Sequence, residues 1–483
     1  MKNFKFSSLL HVPMVALLAV LAACGGGGGG GGGSAATPPA SATPTLRSIA
    51  ITVPGNATTI EVGTAPKTLV ATGSYSDGTT KPLTVASGLL WAPTNGKVLA
   101  VATNGSLTAK AVGTENVTAT VDTVVGTLAI TVTAPWMGVT AGGYQTIARK
   151  ADGNLYSWGS NIKAQLGDST TIDRNAPVLV AGTSPTWKQV AVGDQFAVAI
   201  RNDGTMWAWG YNQDGQLGDG TQINRAVPTQ VGTAKDWAVV AAGKAHVLAL
   251  KVNGNLYAWG RNDKGQLGDV TLTGNRTAPA KIGVLLWASI AAGDTHSLAI
   301  QRDTNDLYGW GGNVNGQVGN ASRTDVTAPA KIGTLKYTSV AAGAFHSTAI
   351  TTSGTLYAWG QNTYGQLGNG TLTDVIAPVQ IGSEGNWSQM SAGAQHTVGL
   401  RNDGTLWSWG ANTEGQLGTG GADSLAPLQL GTGANWKSVT SGMAHSFALK
   451  SDDTLWGWGR NVEGQLGNGK NAPYAPVPVN VPN

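Results

Sequence analysis

Cysteine is almost absent from this sequence of 483 residues. Cys24 is the only one, so no disulfide can form within the chain. Charge is also scarce, because Asp, Glu, Lys and Arg together make up 12% of the residues. The hydrophobic fraction is 41%, and a chain with so many apolar side chains and so little charge does not have the composition of a disordered protein.

Phenylalanine is rare, with 5 residues, and no long stretch shows the apolar spacing of an amphipathic helix. Gly and Trp are abundant instead, with 70 and 17 residues. This composition predicts many tight turns that join short strands, with Trp filling the cores. We therefore expect an all-β protein, and its length predicts more than one domain.

Residues 1–23 have the pattern of an export signal. Lys2 and Lys5 precede an apolar run that is too short to be a good membrane-spanning helix. The run ends in LAAC at residues 21–24, which resembles the lipobox of bacterial lipoproteins and implies that Cys24 is lipidated. We expect an exported bacterial lipoprotein whose lipid on Cys24 attaches it to the outer membrane or cell surface, or leaves it facing the periplasm. The alternative is an ordinary cleaved signal with an incidental cysteine.

Residues 24–45 contain nine consecutive glycines followed by a stretch of Pro, Thr and Ala. Such a segment predicts a tether, flexible at first and stiffer where Pro appears. It would hold the folded part of the protein away from a membrane.

Residues 46–134 alternate apolar and polar side chains over several short runs, which predicts strands. Trp91 is the expected core residue, and strands at this spacing favour a β-sandwich. The motifs LRSI at 46–49, YSDGTT at 75–80 and TAT at 118–120 resemble the bacterial Ig-like group 2 (BIG2) domain. That resemblance implies an Ig-like sandwich acting as a stalk, and a spacer without a ligand is the simpler interpretation.

Residues 135–483 are a repeat with a period of about 50 residues. Each copy carries a Trp-Gly pair, an Asn and the motif GQLG or a close variant, and each contains four short apolar runs. Four strands per copy are the content of one propeller blade. The sequence therefore predicts a seven-bladed β-propeller. The copies begin at the aromatic residues Trp136, Trp187, Trp237, Trp287, Tyr337, Trp387 and Trp436.

These motifs resemble the regulator of chromosome condensation (RCC1) repeat family. Members of that family include an exchange factor for a small GTPase, a plant ultraviolet-B photoreceptor and a secreted inhibitor of β-lactamases. Their common property is protein binding, so the fold alone does not select a function. Together with the predicted export, it favours a non-catalytic surface module that binds a protein or an envelope polymer such as a polysaccharide. Nucleotide exchange on a small GTPase is the alternative, and the predicted export argues against it.

Five histidines occupy one register of the repeat, where the first two copies have Gln145 and Phe196. Neighbouring blades lie too far apart to share a zinc ion, whose bonds to His are about 2 Å. We therefore predict no metal site and expect each His to form a structural hydrogen bond within its own blade. The histidines are His246, His296, His346, His396 and His445.

The sequence contains no motif typical of an enzyme, a nucleotide-binding protein or a nucleic-acid-binding protein. No nucleophile elbow is present, and the one phosphate-loop-like motif has Asn471 in place of the Ser or Thr that binds magnesium. We therefore expect no enzyme activity and no cofactor. The net charge of +4 falls to +2 without Lys2 and Lys5, which is too small for nucleic-acid binding.

Candidate partner-binding residues are those whose identity is not fixed by the repeat pattern. Arg174, Arg225 and Arg276 follow the GQLG motif at similar distances, which predicts a basic arc. A second group lies just before the histidine register and varies freely. Aromatic and cationic side chains in loops are favoured at binding sites. This second group includes Tyr144, Lys244 and Phe345.

Overall fold

The computed structural model of the chain describes residues 43–182, 186–470 and 472–483. Strands dominate, and the helical elements found there are two 3-10 turns, Pro54–Asn56 and Val85–Ser87. No helix in these ranges is long and apolar enough to cross a membrane. The predicted signal peptide, Cys24 and the tether up to residue 42 lie outside the described residues.

The N-terminal domain consists of three small sheets around one apolar core. The sheets have the strand orders β1-β4-β5, β2-β10-β9-β6 and β3-β8-β7. Alternate residues of β9, including Val117 and Ala119, are fully buried because successive side chains of a strand point to opposite faces. Trp91, the expected core residue, packs against the core but is only partly buried. Strands β1 to β10 are Leu46–Thr52, Thr59–Glu61, Lys67–Thr68, Val70–Tyr75, Thr80–Leu83, Leu90–Pro93, Leu99–Val101, Ser106–Ala109, Gly113–Val121 and Val124–Thr133.

From Trp136 onwards, each repeat supplies four antiparallel strands that neighbour each other in chain order. The first two repeats form β11 to β14 (Trp136–Ala141, Gln145–Lys150, Leu155–Gly159, Arg174–Leu179) and β15 to β18 (Trp187–Val192, Phe196–Arg201, Met206–Gly210, Arg225–Gln230). The last two form β29 to β32 (Trp387–Ala392, His396–Arg401, Leu406–Gly410, Ser424–Gln429) and β33 to β36 (Trp436–Ser441, His445–Lys450, Leu455–Arg460, Tyr474–Val481).

The three middle repeats join into one ten-stranded sheet, because two 17-residue strands continue from one repeat into the next. These long strands are β22 and β25. The sheet consists of β19 to β28, which are Trp237–Ala242, His246–Lys251, Asn255–Gly260, Arg276–Ala292, His296–Gln301, Asp306–Gly311, Val326–Ala342, His346–Thr351, Leu356–Gly360 and Val375–Gln380.

The last repeat packs on the first, so the repeats close into a ring. β11 contacts β33 and β34, and the joint buries Trp136 and Trp158 against Phe447, Leu449 and Leu455. No strand of one repeat completes the sheet of the other, since β11 to β14 and β33 to β36 are separate sheets. The ring is therefore closed by side-chain packing rather than by a strand shared between the first and last repeats.

Neighbouring repeats are joined by two motifs of the sequence, the Trp-Gly pair and GQLG. The indole N–H of Trp209 donates to the backbone carbonyl of Gln165 in the preceding repeat at 3.1 Å, and Trp158 does the same to Gln465 across the closing joint at 2.9 Å. The last Gly of GQLG lies against the same ring: a Cβ on Gly218, whose φ is +72°, would lie 2.6 Å from Nε1 of Trp259. Glycine is required there by both backbone conformation and space.

Candidate binding face at the mouth of the central channel

A narrow channel of about 120 Å³ runs where the inner strands of all repeats converge. Its wall consists of small residues, because the repeats approach each other closely. A Cβ on Gly243 would lie 2.2 Å from the carbonyl oxygen of Gly293 in the next repeat. The equivalent positions are Gly142, Gly193, Gly243, Gly293, Gly343, Gly393 and Gly442.

The residues that follow these glycines form a ring that we call the mouth. In the described part of the chain, the backbone N–H of each mouth residue donates to a carbonyl of the next repeat. Lys244 donates to Gly293 at 3.2 Å, and Met443 donates to Gly142 at 2.9 Å, which closes the ring. The backbone of the mouth is therefore fixed, while its side chains are free to differ. The mouth residues are Gly143, Asp194, Lys244, Asp294, Ala344, Ala394 and Met443.

The side chains of the mouth divide it into a charged half and an apolar half. Lys244 lies between Asp194 and Asp294, and its Nζ is 3.5 Å from Oδ2 of Asp294. Burial raises the pKa of both carboxyl groups, and the positive charge of Lys244 offsets only part of that effect. These carboxylates lack the full solvation of free ones, so a cationic donor on a partner would find strong acceptors there. Ala344 and Met443 form part of the apolar half.

The residues predicted from their variability lie on this face. Lys244 belongs to the mouth, and Tyr144 and Phe345 each follow a mouth residue and are partly exposed. The guanidinium carbon of Arg460 lies 5.0 Å from the centre of the Tyr144 ring. Arg460 also pairs with Glu463 at 2.7 Å, and that contact raises its pKa. Lys244 therefore lines the opening, whereas Tyr144 and Phe345 are each one residue beyond the ring of mouth residues in the sequence.

The predicted basic arc does not exist as a free cationic surface. Arg174 and Arg225 pair with Asp168 and Asp219, two carboxylates of their own loops, at 2.8 and 2.6 Å. Arg276 pairs with Asp269 at 2.7 Å in the same way. The hydroxyl of Thr271 and the side chain of Arg276 hold the pKa of Asp269 at about 2. Each arginine therefore closes its own loop, and we call this arrangement the loop clip. A role of these arginines in partner binding stays a prediction.

The histidines are fully buried, and their hydrogen bonds join neighbouring repeats. Nε2 of His246 lies 3.0 Å from the hydroxyl of Ser297, which itself donates to the carbonyl of Gln266. Because that hydroxyl has one proton, Nε2 must be the donor to it. The expectation of a bond within each blade was wrong, since the partner comes from the next repeat. The other pairs are His296–Ser347, His346–Thr397, His396–Ser446 and His445–Thr146, at 2.8 to 3.0 Å.

The two repeats without histidine are those whose neighbour lacks a hydroxyl. Opposite Gln145 stands Ala197, and the Gln145 amide donates instead to the carbonyl of Gly193 at 3.1 Å. Opposite Phe196 stands Val247, so that joint is apolar. Within this one chain, each buried donor therefore occurs where the next repeat provides an acceptor, as buried polar groups require.

Burial disfavours protonation of these imidazoles. It lowers the pKa of His246 and His346 to about 4, and that of His296, His396 and His445 to about 3. They are neutral at physiological pH, and their Nδ1 atoms have no hydrogen-bond partner. In the ranges that the structure describes, no group of three or more His, Cys, Asp or Glu side chains is placed to hold a metal ion.

Comparison with known families and structures agrees with this architecture. The family model described as the RCC1-like domain matches residues 98–339, which is half of the chain, and starts before the first propeller strand. The model of the RCC1 repeat matches residues 353–400, 403–449 and 452–483. The crystal structure of human WBSCR16 has a TM-score of 0.62 at 24% identity, covering 68% of this chain and 94% of that one. Prp20p from Saccharomyces cerevisiae has a TM-score of 0.63 at 23% identity, covering 72% and 88%.

Curated relatives match over shorter segments. The mitochondrial RCC1 domain-containing protein RUG3 of Arabidopsis thaliana is 31% identical over 100 residues, and human protein RCC2 is 40% identical over 79 residues. These segments cover 20% and 16% of this chain, and 22% and 15% of the relatives. The chain thus spans less than a quarter of the length of either relative, and these matches do not transfer an activity. The family matches, the four-stranded repeats and the propeller fold show that this chain belongs to the RCC1-like domain family.

Proposed function

We propose that this protein is an exported lipoprotein that displays a seven-bladed, non-catalytic binding propeller on an Ig-like stalk. Cys24 would carry the lipid, and the face around the mouth would bind a protein. The main support for this proposal is that the mouth has a charged half and an apolar half. The backbone contacts are the same at every joint, but the side chains that they hold differ between the two halves. A purely structural ring has no need of such a difference.

The chemistry of the mouth favours a protein as the partner. Asp194 and Asp294 offer incompletely neutralised acceptors, whereas Phe345 and Met443 offer apolar surface nearby. A protein surface that places Arg or Lys beside an apolar side chain would complement both halves.

Binding by the whole mature protein tests this proposal. We would isolate envelope and host-surface proteins on the immobilised protein, purify the captured partner and measure its Kd. Asp194→Ala and Phe345→Ala should each weaken binding by about tenfold or more. Asp194→Ala should not unfold the protein, because it removes a carboxylate whose burial opposes folding.

Asp453→Ala is the matched control, because Asp453 pairs with Lys437 at the other end of β33 from the mouth. Equal weakening by all three variants, or by none, would exclude the mouth as the binding surface. A captured GTPase that releases its nucleotide faster in the presence of this protein would instead make it an exchange factor.

The anchor needs its own test. Cells fed a radiolabelled fatty acid should label the wild-type protein but not Cys24→Ser, and the wild type should fractionate with membranes. Equal labelling of both proteins would disprove lipidation at Cys24.

A further inference from the structure

The joint between the sixth and seventh repeats leaves its aromatic residue partly exposed. The first aromatic of every other repeat is between 1% and 6% exposed, whereas Trp436 is only half-buried. Three residues before that aromatic, the second repeat has Ala234, which packs on the core around Trp237. The sixth repeat has Gly433 at this position. A side chain that would help to cover Trp436 is therefore missing.

The same joint contains a cation, Lys450, that has no ion pair within 4 Å in the described residues and interacts with the carboxylate of Asp452 only at longer range. In the third repeat, Lys251 lies over Trp237 and pairs with Asp236 at 2.9 Å. In the sixth repeat, Arg401 lies over Trp387 and is 3.7 Å from the carboxylate of Glu384.

Lys450 in the seventh repeat stacks in the same way, 5.0 Å from the centre of the Trp436 ring. The two positions that supply the carboxylate elsewhere hold Asn435 and Gly433. Among the described residues, Lys450 has no ion-pair partner within 4 Å. Lys150 over Trp136 and Arg201 over Trp187 also have no ion pair in the described residues, but their indoles are almost fully buried. The seventh repeat differs from them because its unpaired cation lies beside a partly exposed indole.

The loop beside this joint lacks the loop clip, of which the fourth and fifth repeats keep only the contact between an asparagine and a hydroxyl. The second repeat closes the corresponding loop with Asp219, Thr221 and Arg225. The sixth repeat has Thr419, Gly421 and Ser424 there, and the hydroxyl of Thr419 is buried without a partner. An unpaired buried hydroxyl destabilises the fold, so this departure does not serve the stability of the ring.

The result is a groove of about 580 Å³ between the two repeats. Gln429 and Asn435 line it, and no hydrogen bond involves either side-chain amide in the described part of the chain. The equivalent Gln230 and Gln380 donate to a nearby glycine carbonyl instead. Leu428 and Val477, 46% and 50% exposed, add apolar surface, and the lining contains no acidic residue. The groove therefore combines one cation, two free amides and an indole.

We propose that this groove binds a saccharide that carries a carboxylate group. The carboxylate would pair with Lys450 and take the place that Asp236 and Glu384 occupy in two of the other joints. The ring hydroxyls would bond the amides of Gln429 and Asn435, which can both donate and accept. The groove lies at the end of β33 opposite to the mouth, so this site is separate from the proposed protein-binding face and does not depend on it.

The test uses the full mature chain and defined oligosaccharides. Trigalacturonate, sialyllactose and a chondroitin tetrasaccharide are the acidic probes, maltotriose is the neutral probe, and triglutamate is the peptide probe. Binding is measured by calorimetry and by the change in Trp fluorescence. We expect at least one acidic saccharide to bind with a Kd below about 1 mM, and to bind about tenfold or more tightly than maltotriose and triglutamate.

Gly433→Glu is the most informative variant, because it places a carboxylate where Glu384 lies in the preceding joint. Gly433 has no positive φ, and a Cβ there would meet only the Asn435 side chain at 3.4 Å, so the variant should fold. It should weaken binding about tenfold or more by pairing internally with Lys450, and Lys450→Met should do the same. Asp194→Ala should leave saccharide binding unchanged, since it alters only the mouth.

A gain of function provides the converse test. Glu384→Gly removes the counter-ion of Arg401 and should add a second, weaker saccharide site to the stoichiometry. The proposal is overturned if no acidic saccharide binds below about 1 mM, if Gly433→Glu binds as well as the wild type, or if triglutamate binds as tightly as the saccharides.

Discussion

Mild acid should unfold this protein through its buried histidines. The five imidazoles are neutral in the folded ring, with pKa values of about 3 to 4, whereas an unfolded chain binds their protons below about pH 6.5. The unfolded state therefore takes up more protons as the pH falls from about 6.5 towards 4, and the free energy of unfolding decreases over that window.

The magnitude follows from the number of groups. Each histidine costs the folded state about 1.2 kcal/mol between pH 7 and pH 5.5, so the five together cost about 6 kcal/mol. Carboxylates contribute in a different window: the pKa of Asp269 and of Asp306 is about 2 in the folded state, so their stabilisation is lost only below about pH 4. Asp194 and Asp294 act in the opposite sense, because burial raises their pKa and their ionisation opposes folding.

Urea unfolding followed by Trp fluorescence between pH 8 and pH 5 measures this effect. His296→Gln is the matched variant, because Gln145 shows that a glutamine in this register can bond the next repeat. The slope of the free energy of unfolding against pH should decrease by about one fifth, because one of the five histidines no longer takes up a proton on unfolding. A wild-type stability that stays constant down to pH 4.5, or a His296→Gln variant with an unchanged slope, would refute the assignment of buried neutral histidines.

Two further predictions concern the joints between repeats. Phe196→His should destabilise the protein by about 2 kcal/mol or more, because it buries an imidazole opposite Val247. Adding Val247→Ser should recover part of that loss, because it provides the hydroxyl that the other histidines have. A double variant no more stable than Phe196→His in thermal unfolding would contradict the pairing of histidine with hydroxyl. Gly218→Ala should destabilise by about 2–4 kcal/mol, because its methyl group would meet the Trp259 ring at a positive φ. Gly220→Ala is the control at similar φ without that contact, and equal losses of urea stability would disprove the steric contribution of the tryptophan.

Much of the fold can be predicted from the sequence, because residues that the structure requires recur at the same position in several copies of the repeat. The period, the four strands and the Trp-Gly and GQLG motifs predicted a propeller of the RCC1 type, and the family matches confirm that relationship. The contacts across the joints were not predicted, because their partners are about 50 residues apart. A signal was nevertheless present: a hydroxyl follows the histidine register in the repeats after His246 and His296, and is absent in those after Gln145 and Phe196.

The candidate site shows the same limit. Tyr144, Lys244 and Phe345 could be chosen because the repeat leaves their positions variable, and variability does not depend on knowing the contacts. The ion pairs of the arginines were not predicted, because a shared register was taken to indicate a shared surface. Asp219 precedes Arg225 by six residues in the sequence, and the first and third repeats show a similar Asp-to-Arg spacing. That local pairing was the stronger signal.

The joints of this ring can be compared with each other inside one molecule, and this comparison separates structural from functional residues. A position that always makes the same contact, such as the indole of Trp209, is explained by ring closure. A paired change, such as Phe196 opposite Val247, keeps the joint packed and is also structural. Gly433 belongs to neither class, because it leaves Trp436 partly exposed beside Lys450, which has no ion pair within 4 Å in the described residues. A loss that the ring itself does not repair indicates that something outside the ring completes the joint.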